Sequence, residues 1–191
     1  MSLISGFTEL LARRALAWPL LALPSVYVMF WLGMDWLSYG QTIHFTGQWS
    51  VGLLCAALLV TPLKKWFPKR PEIRLLLRHR RALGVASFGY ALLHTIIYLD
   101  KKWPADLVIK EGQDPSLLTG WIAFAVFIAL AVTSNNYSVR RLGRRWKTLH
   151  RSVYIATALT FAHWVLAIFD PTTAIGVGAI ICLAEVSRLR R

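Results

Sequence analysis

Five side chains in this sequence are suited to ligand or proton chemistry: His44, His79, His94, His150 and His163. His94 lies in the apolar run SFGYALLHTIIYL and His163 in IATALTFAHWVLAIF. An ionisable residue inside such a run is costly and marks a relay or a ligand site by default. Neutral imidazole can do either, since it binds metals and carries protons near neutral pH. Other chemistries find less support. Cys55 and Cys182 each stand alone in apolar surroundings, and neither C-x-x-C nor C-x-x-C-H occurs. A thiolate metal site, a dithiol pair and covalent c-type haem attachment are therefore not expected. No nucleophile–base constellation is visible, so the chain does not read as a complete enzyme.

The elements that must position these histidines are set by composition. Of 191 residues, 56 % are hydrophobic and 16 % charged, against about a quarter charged in soluble domains. A bilayer core takes about 20 apolar residues as helix. Six stretches meet or approach that length, at 15–35, 45–63, 82–99, 117–134, 152–169 and 171–187. The fold class expected is an all-α integral membrane protein: a six-transmembrane-helix bundle forming one transmembrane domain over residues 1–191. Pro19 and Pro24 predict a kink or irregular turn in the first span. Arg13 and Arg14 precede that span, but no small-x-small cleavage site follows, so it is expected to stay uncleaved.

Orientation follows from the basic residues. Nineteen of the 22 Lys and Arg fall at the N-terminus, in the 64–81 and 135–151 loops and at the C-terminus. Lys101, Lys102 and Lys110 share the remaining loop with four acids. The positive-inside rule then places both termini in the cytoplasm. It also accounts for most of the +13 net charge without nucleic acid, for which no reading motif is present. The long outer loop, 100–116, is expected to be a solvated connector, a short interfacial helix or a docking surface for an extracytoplasmic partner.

In this topology His94 and His163 reach similar depth in the outer halves of spans three and five, which run in the same direction. Two imidazoles so placed could ligate one iron from opposite faces of a porphyrin. His150, at the inner end of span five, would lie about 20 Å from His163 along a straight helix, a separation suited to stacking two haems. Thirteen steps would leave the two side chains about 140° apart around that helix. A fourth histidine is expected thirteen or fourteen residues before His94, where Arg81 and Arg80 stand. Three arrangements answer this: His150 with Arg80 or Arg81, His150 with His79, or a single haem on His94 and His163. An arginine is a poor ligand but pairs well with a haem propionate. The small residues Gly84, Ala86, Ser87, Gly89 and Ala91 suit either close approach of a macrocycle or close helix packing. His44, at the outer start of span two, is a surface residue or part of a quinone or docking site.

The motifs H-F-T-G (44–47), L-V-T-P-L (59–63), R-R-A-L-G (80–84), L-L-H-T (92–95) and the run from Thr133 to Tyr154 containing L-G-R-R-W-K-x-L-H-R-x-V-Y resemble those of the MsrQ (YedZ) family. These are haem-binding membrane subunits within the ferric-reductase-like transmembrane superfamily, and the resemblance covers about 40–170. It implies b-type haem, one or two per chain, at His94, His150 and His163, with FMN as a further cofactor. It implies electron transfer in a bacterial inner membrane, from the quinone pool or a cytoplasmic flavin reductase to a periplasmic molybdopterin partner, MsrP, that reduces methionine sulfoxide in proteins. No G-x-G-x-x-G follows a strand pattern, so any flavin is expected at the membrane or on a partner. Competing readings are a histidine-based proton or metal transporter, which should carry intramembrane acids or paired broken helices, and a non-redox membrane anchor, which should be colourless.

Overall fold

The computed structural model describes residues 14–103, 105–167 and 171–189. Among these the chain is helical throughout, without a strand. The helices are α1 (Arg14–Gly33), α2 (Tyr39–Trp66), α3 (Pro71–Lys101), α4 (Ala105–Glu111), α5 (Pro115–Val132), α6 (Asn136–Leu142), α7 (Arg144–Arg151), α8 (Val153–Ala167) and α9 (Thr172–Leu189). Three of them, α2, α3 and α5, are long and apolar enough to cross a membrane. Ala17–Gly33 and Thr172–Ser187 are apolar but shorter, and α8 comprises 15 residues. Large apolar side chains such as Leu23, Val26, Ile122 and Ile180 are exposed. Lipid is the solvent in which such a surface is stable.

Several boundaries differ from the sequence reading. α3 begins at Pro71, so most of the basic stretch read as the 64–81 loop is helix. His79, Arg80 and Arg81 therefore sit on a helix; long Lys and Arg stems let a helix extend beyond the apolar layer while the charges stay in water. The outer loop contains the short helix α4. The 135–151 loop is mostly α6 and α7, joined at Gly143, whose φ of +51° is a conformation that costs glycine little and other residues more.

The chain divides into two compact units, one of residues Met1–Tyr90 with Ala184–Arg191, the other of Ala91–Leu183. In the first, Val28, Leu54, Leu58 and Val60 are buried. α2 opens with a capping box: Ser38 Oγ accepts from the Gln41 amide, and Gln41 returns the bond to Ser38. The buried Thr42 and Thr46 hydroxyls donate back to the carbonyls of Ser38 and Thr42, both at 2.9 Å, which satisfies them inside the helix. Ser50 and Ser87 exchange bonds, Ser50 Oγ to the Ser87 carbonyl at 3.0 Å and Ser87 Oγ to the Ser50 carbonyl at 2.8 Å. That pair is the close α2–α3 packing that small residues permit.

α1 runs as one helix through Pro19 and Pro24, so the kink or irregular turn expected of the first span does not end it. Pro24 supplies no N–H, and its ring crowds the preceding turn. The next rung is served by a tyrosine instead. Tyr90 Oη accepts from the Ser25 N–H at 3.0 Å and donates to the Leu21 carbonyl at 2.8 Å. Its ring stacks on Trp49 with centroids 5.8 Å apart.

In the second unit α5 packs along α8, with Ala123, Phe127, Leu130 and Ala156 buried. α5 starts at an Asp114 N-cap followed by Pro115. Asp114 Oδ1 accepts from the Ser116 N–H and Oγ–H. The hydroxyl bond first, and the amide bond with it, hold the Asp114 carboxyl below its usual range.

Candidate functional site

His94, on α3, and His163, on α8, meet in the second unit. Their ring centroids are 6.4 Å apart and their planes perpendicular. An imidazole–metal bond is about 2 Å, and a ring nitrogen lies about 1.1 Å from its ring centre, so two imidazoles trans on one metal have centroids about 6.3 Å apart. The observed separation fits that arrangement. Among the described residues no group of three or more His, Cys, Asp or Glu side chains could hold a metal ion. An iron porphyrin makes no such demand, because it brings its equatorial ligands with it and takes only axial ones from the protein.

His163 is oriented by its own second bond. Its Nδ1 lies 2.7 Å from the Ser116 carbonyl. A carbonyl has no proton to give, so Nδ1–H donates, and in the neutral ring Nε2 keeps the lone pair that could bind a metal. The ring approaches the backbone closely because position 120 is glycine: a Cβ there would stand 2.9 Å from His163 Nδ1. Neither Ser116 nor Gly120 figured in the sequence reading. The Asp114–Pro115–Ser116 helix start does not by itself say which side chain will use the Ser116 carbonyl.

His150 has a different environment. Its ring stacks on Trp146 with centroids 3.9 Å apart, and its Nε2 is 3.1 Å from Thr133 Oγ1. Thr133 Oγ–H donates to the Ala129 carbonyl at 2.7 Å, which leaves its lone pair to accept from an Nε2–H of His150. Trp146 Nε1–H donates to the Thr133 carbonyl at 2.8 Å. Thus the widely spaced Thr133, Trp146 and His150 of the longest motif form one contact group. Between the helix that carries His150 and the one that carries His163 stands a single residue, Ser152, whose backbone angles stay helical (φ −62°, ψ −9°). α7 ends at Arg151, and Ser152 closes it with its N–H and Oγ–H on the Leu149 carbonyl before α8 begins at Val153.

The other candidates lie in the first unit. Arg80 Nε donates to the Ala57 carbonyl at 3.0 Å, next to Leu58, whose carbonyl the imino nitrogen of Pro62 cannot serve. His79 is half-buried, while Arg81 and His44 are exposed. Of the small residues on α3, Ser87 is buried in packing, whereas a Cβ on Gly84 or Gly89 would meet nothing within 4 Å.

The 100–116 loop is tied down beside α3. Lys102 Nζ and Glu111 Oε1 are 2.7 Å apart, and Tyr98 Oη donates to Glu111 Oε2 at 3.2 Å. The Lys102 hydrogen bond foremost, with the Tyr98 bond and the lysine charge, holds the Glu111 carboxyl below its ordinary value.

Residues 46–161 match the model of the "Ferric reductase like transmembrane component" family. The chain belongs to that ferric reductase-like transmembrane family. The MsrQ resemblance read from the motifs is borne out as well. Proteins named "Protein-methionine-sulfoxide reductase heme-binding subunit MsrQ" from Brucella ovis, Brucella canis and Brucella suis are each 38 % identical over 152 residues, covering 78 % of this chain and 67 % of theirs. The ferric reductase-like segment includes His79, Arg80, Arg81, His94 and His150; His163 follows its end by two residues.

Proposed function

We propose that this chain is a haem-binding electron-transfer subunit of a methionine sulfoxide reductase system, with one b-type haem held between His94 and His163. The observation that carries the reading is their 6.4 Å perpendicular ring pair. It is supported by family membership and by the haem-binding role in the name of the MsrQ relatives. When bound, the haem supplies one-electron Fe(III)/Fe(II) chemistry at a fixed depth in the bilayer. The chain's own residues do the rest. His94 and His163 present neutral imidazoles from two helices. The Ser116 carbonyl keeps the proton of His163 on Nδ1. The apolar faces of α5 and α8 exclude water, which lowers the local dielectric and sets the potential together with the axial ligands.

The proposal extends to a single transmembrane domain of six spans in a bacterial inner membrane, both termini cytoplasmic, supported by the alternation of basic segments. The donor is the quinone pool or a cytoplasmic flavin reductase, with FMN on the partner or at the cytoplasmic face. The acceptor is a periplasmic MsrP-type molybdopterin subunit, met at the outer loop. A second haem on His150 would require its Nε2 to leave Thr133, so the stoichiometry proposed is one. The test is the dithionite-reduced minus oxidised spectrum of the purified chain with haem counted per protein. A b-type spectrum at about one haem per chain supports the reading. A colourless chain that takes up no added haem overturns it in favour of an anchor or transporter.

A further inference from the structure

We propose that the first turns of α5 are a positioning device for His163: the Ser116 carbonyl fixes its tautomer, and the absent side chain of Gly120 fixes the plane of its ring. This rests on the ligand role proposed above for His94 and His163. Gly120 lies within α5, where glycine costs about 1 kcal/mol relative to alanine. What that cost secures is proximity. A Cβ at this position would stand 2.9 Å from Nδ1, 3.1 Å from Cε1 and 3.3 Å from Cγ of His163. Those three atoms are consecutive around the ring, so the whole Nδ1 edge lies against the helix backbone. Other helix glycines do not share this feature: a Cβ on Gly52, Gly84, Gly89 or Gly176 would meet nothing within 4 Å, and one on Gly178 would make ordinary contact with Phe161 at 3.4 Å.

The acceptor is itself held in place. Asp114 caps the turn by accepting from the Ser116 amide at 2.7 Å, and Pro115 fixes φ at the first helical position. Thr119 Oγ–H, which also lies 3.0 Å from the Pro115 carbonyl, reaches the Ser116 carbonyl at 2.7 Å and shares it with the histidine. A stronger Nδ1–H···O=C bond makes the opposite nitrogen a more basic ligand. A more basic ligand favours ferric over ferrous iron, so this turn sets the potential as well as the geometry. The angle between the two imidazole planes has its own readout, because perpendicular axial imidazoles give a strongly anisotropic low-spin ferric EPR signal.

The experiment uses the full chain loaded with haem in detergent or nanodiscs, and reads haem affinity, ferric EPR and midpoint potential. Gly120→Ala is expected to displace the ring, weaken haem binding about 10- to 100-fold and shift the EPR anisotropy. Thr119→Val, nearly isosteric, removes the competing donor and is expected to lower the midpoint potential while haem content stays full. Gly178→Ala is the control for an added methyl in the same unit and is expected to match the parent chain. Should Gly120→Ala fail to accumulate, Thr119→Val alone decides. Parent-like EPR, affinity and potential in both variants overturn the positioning device and leave the ligand assignment standing. An equal EPR shift in Gly178→Ala also overturns it. A parent chain lacking a six-coordinate low-spin spectrum instead removes the ligand assignment.

Discussion

Replacing Tyr90 with Phe removes one oxygen that serves two backbone groups of α1, the Ser25 N–H and the Leu21 carbonyl. Tyr90 is 4 % exposed, so water does not readily replace it. Two limits bound the cost. If α1 keeps its course over Pro24, both groups lose their partner, at about 1–3 kcal/mol each and thus about 2–6 kcal/mol in all. If the helix closes its own Ser25-to-Leu21 rung, only interhelical bonding is lost, at about 0.6 kcal/mol per bond and about 1 kcal/mol in total. Pro24 crowds that rung without forbidding it, so a loss of about 1–2 kcal/mol is expected, near the lower limit. The assay is reversible SDS-titrated unfolding in detergent micelles, run as a double-mutant cycle with Pro24→Ala. Alanine restores the N–H and relieves the crowding, so α1 should close its own ladder and dispense with the tyrosine hydroxyl. The cost of Tyr90→Phe should then fall to within about 0.5 kcal/mol of zero. Additive effects of the two substitutions would refute the argument that the tyrosine hydroxyl compensates for the proline.

His94→Ala and His163→Ala should each abolish the proposed haem, while the exposed His44→Ala keeps it; a full haem complement in either of the first two variants contradicts the assignment. Thr133→Val should leave haem content near one per chain yet destabilise the protein by about 1 kcal/mol, from the lost side-chain bond to His150, as read by thermal unfolding; loss of haem would instead favour His150 as a ligand. For Glu111 the carboxyl is depressed in the folded state, so the stabilisation it brings to the outer loop is present above the unfolded glutamate range and lost as pH falls through and below it. Fluorescence of Trp103, which follows the Glu111 partner Lys102 in sequence and is 74 % exposed, should report that acid transition, and Glu111→Gln should flatten it; an unchanged transition would contradict the anchoring.

Apolar runs and alternating basic segments made a helical membrane protein legible, because a bilayer imposes length and sidedness on one segment at a time. The candidate pair His94 and His163 was legible for the same reason: matched depth is a property of separate spans. The motif run from Thr133 to Tyr154 announced itself as a unit, but its physical content did not. That Thr133 bonds His150, and that Trp146 both stacks on the ring and caps the Thr133 carbonyl, is decided by how α5 and α7 meet.

The same division explains the failures. The 135–151 segment read as a loop because it is basic rather than apolar, yet α6 and α7 form there; the interruption at Ser152 follows no Gly or Pro and is a local hydrogen-bonding choice. Pro24 predicted a defect in α1, and the remedy came from Tyr90, far away in sequence. Sequence alone determined that the apolar segments are helical and that His94 and His163 lie in them, but not that the basic stretches with His79 and His150 are helical too. Only the tertiary structure decided that Ser116 and Gly120 face His163, because hydrogen bonds and close approach between helices depend on rotation about their axes, and a nearly uniform apolar surface leaves that rotation unspecified.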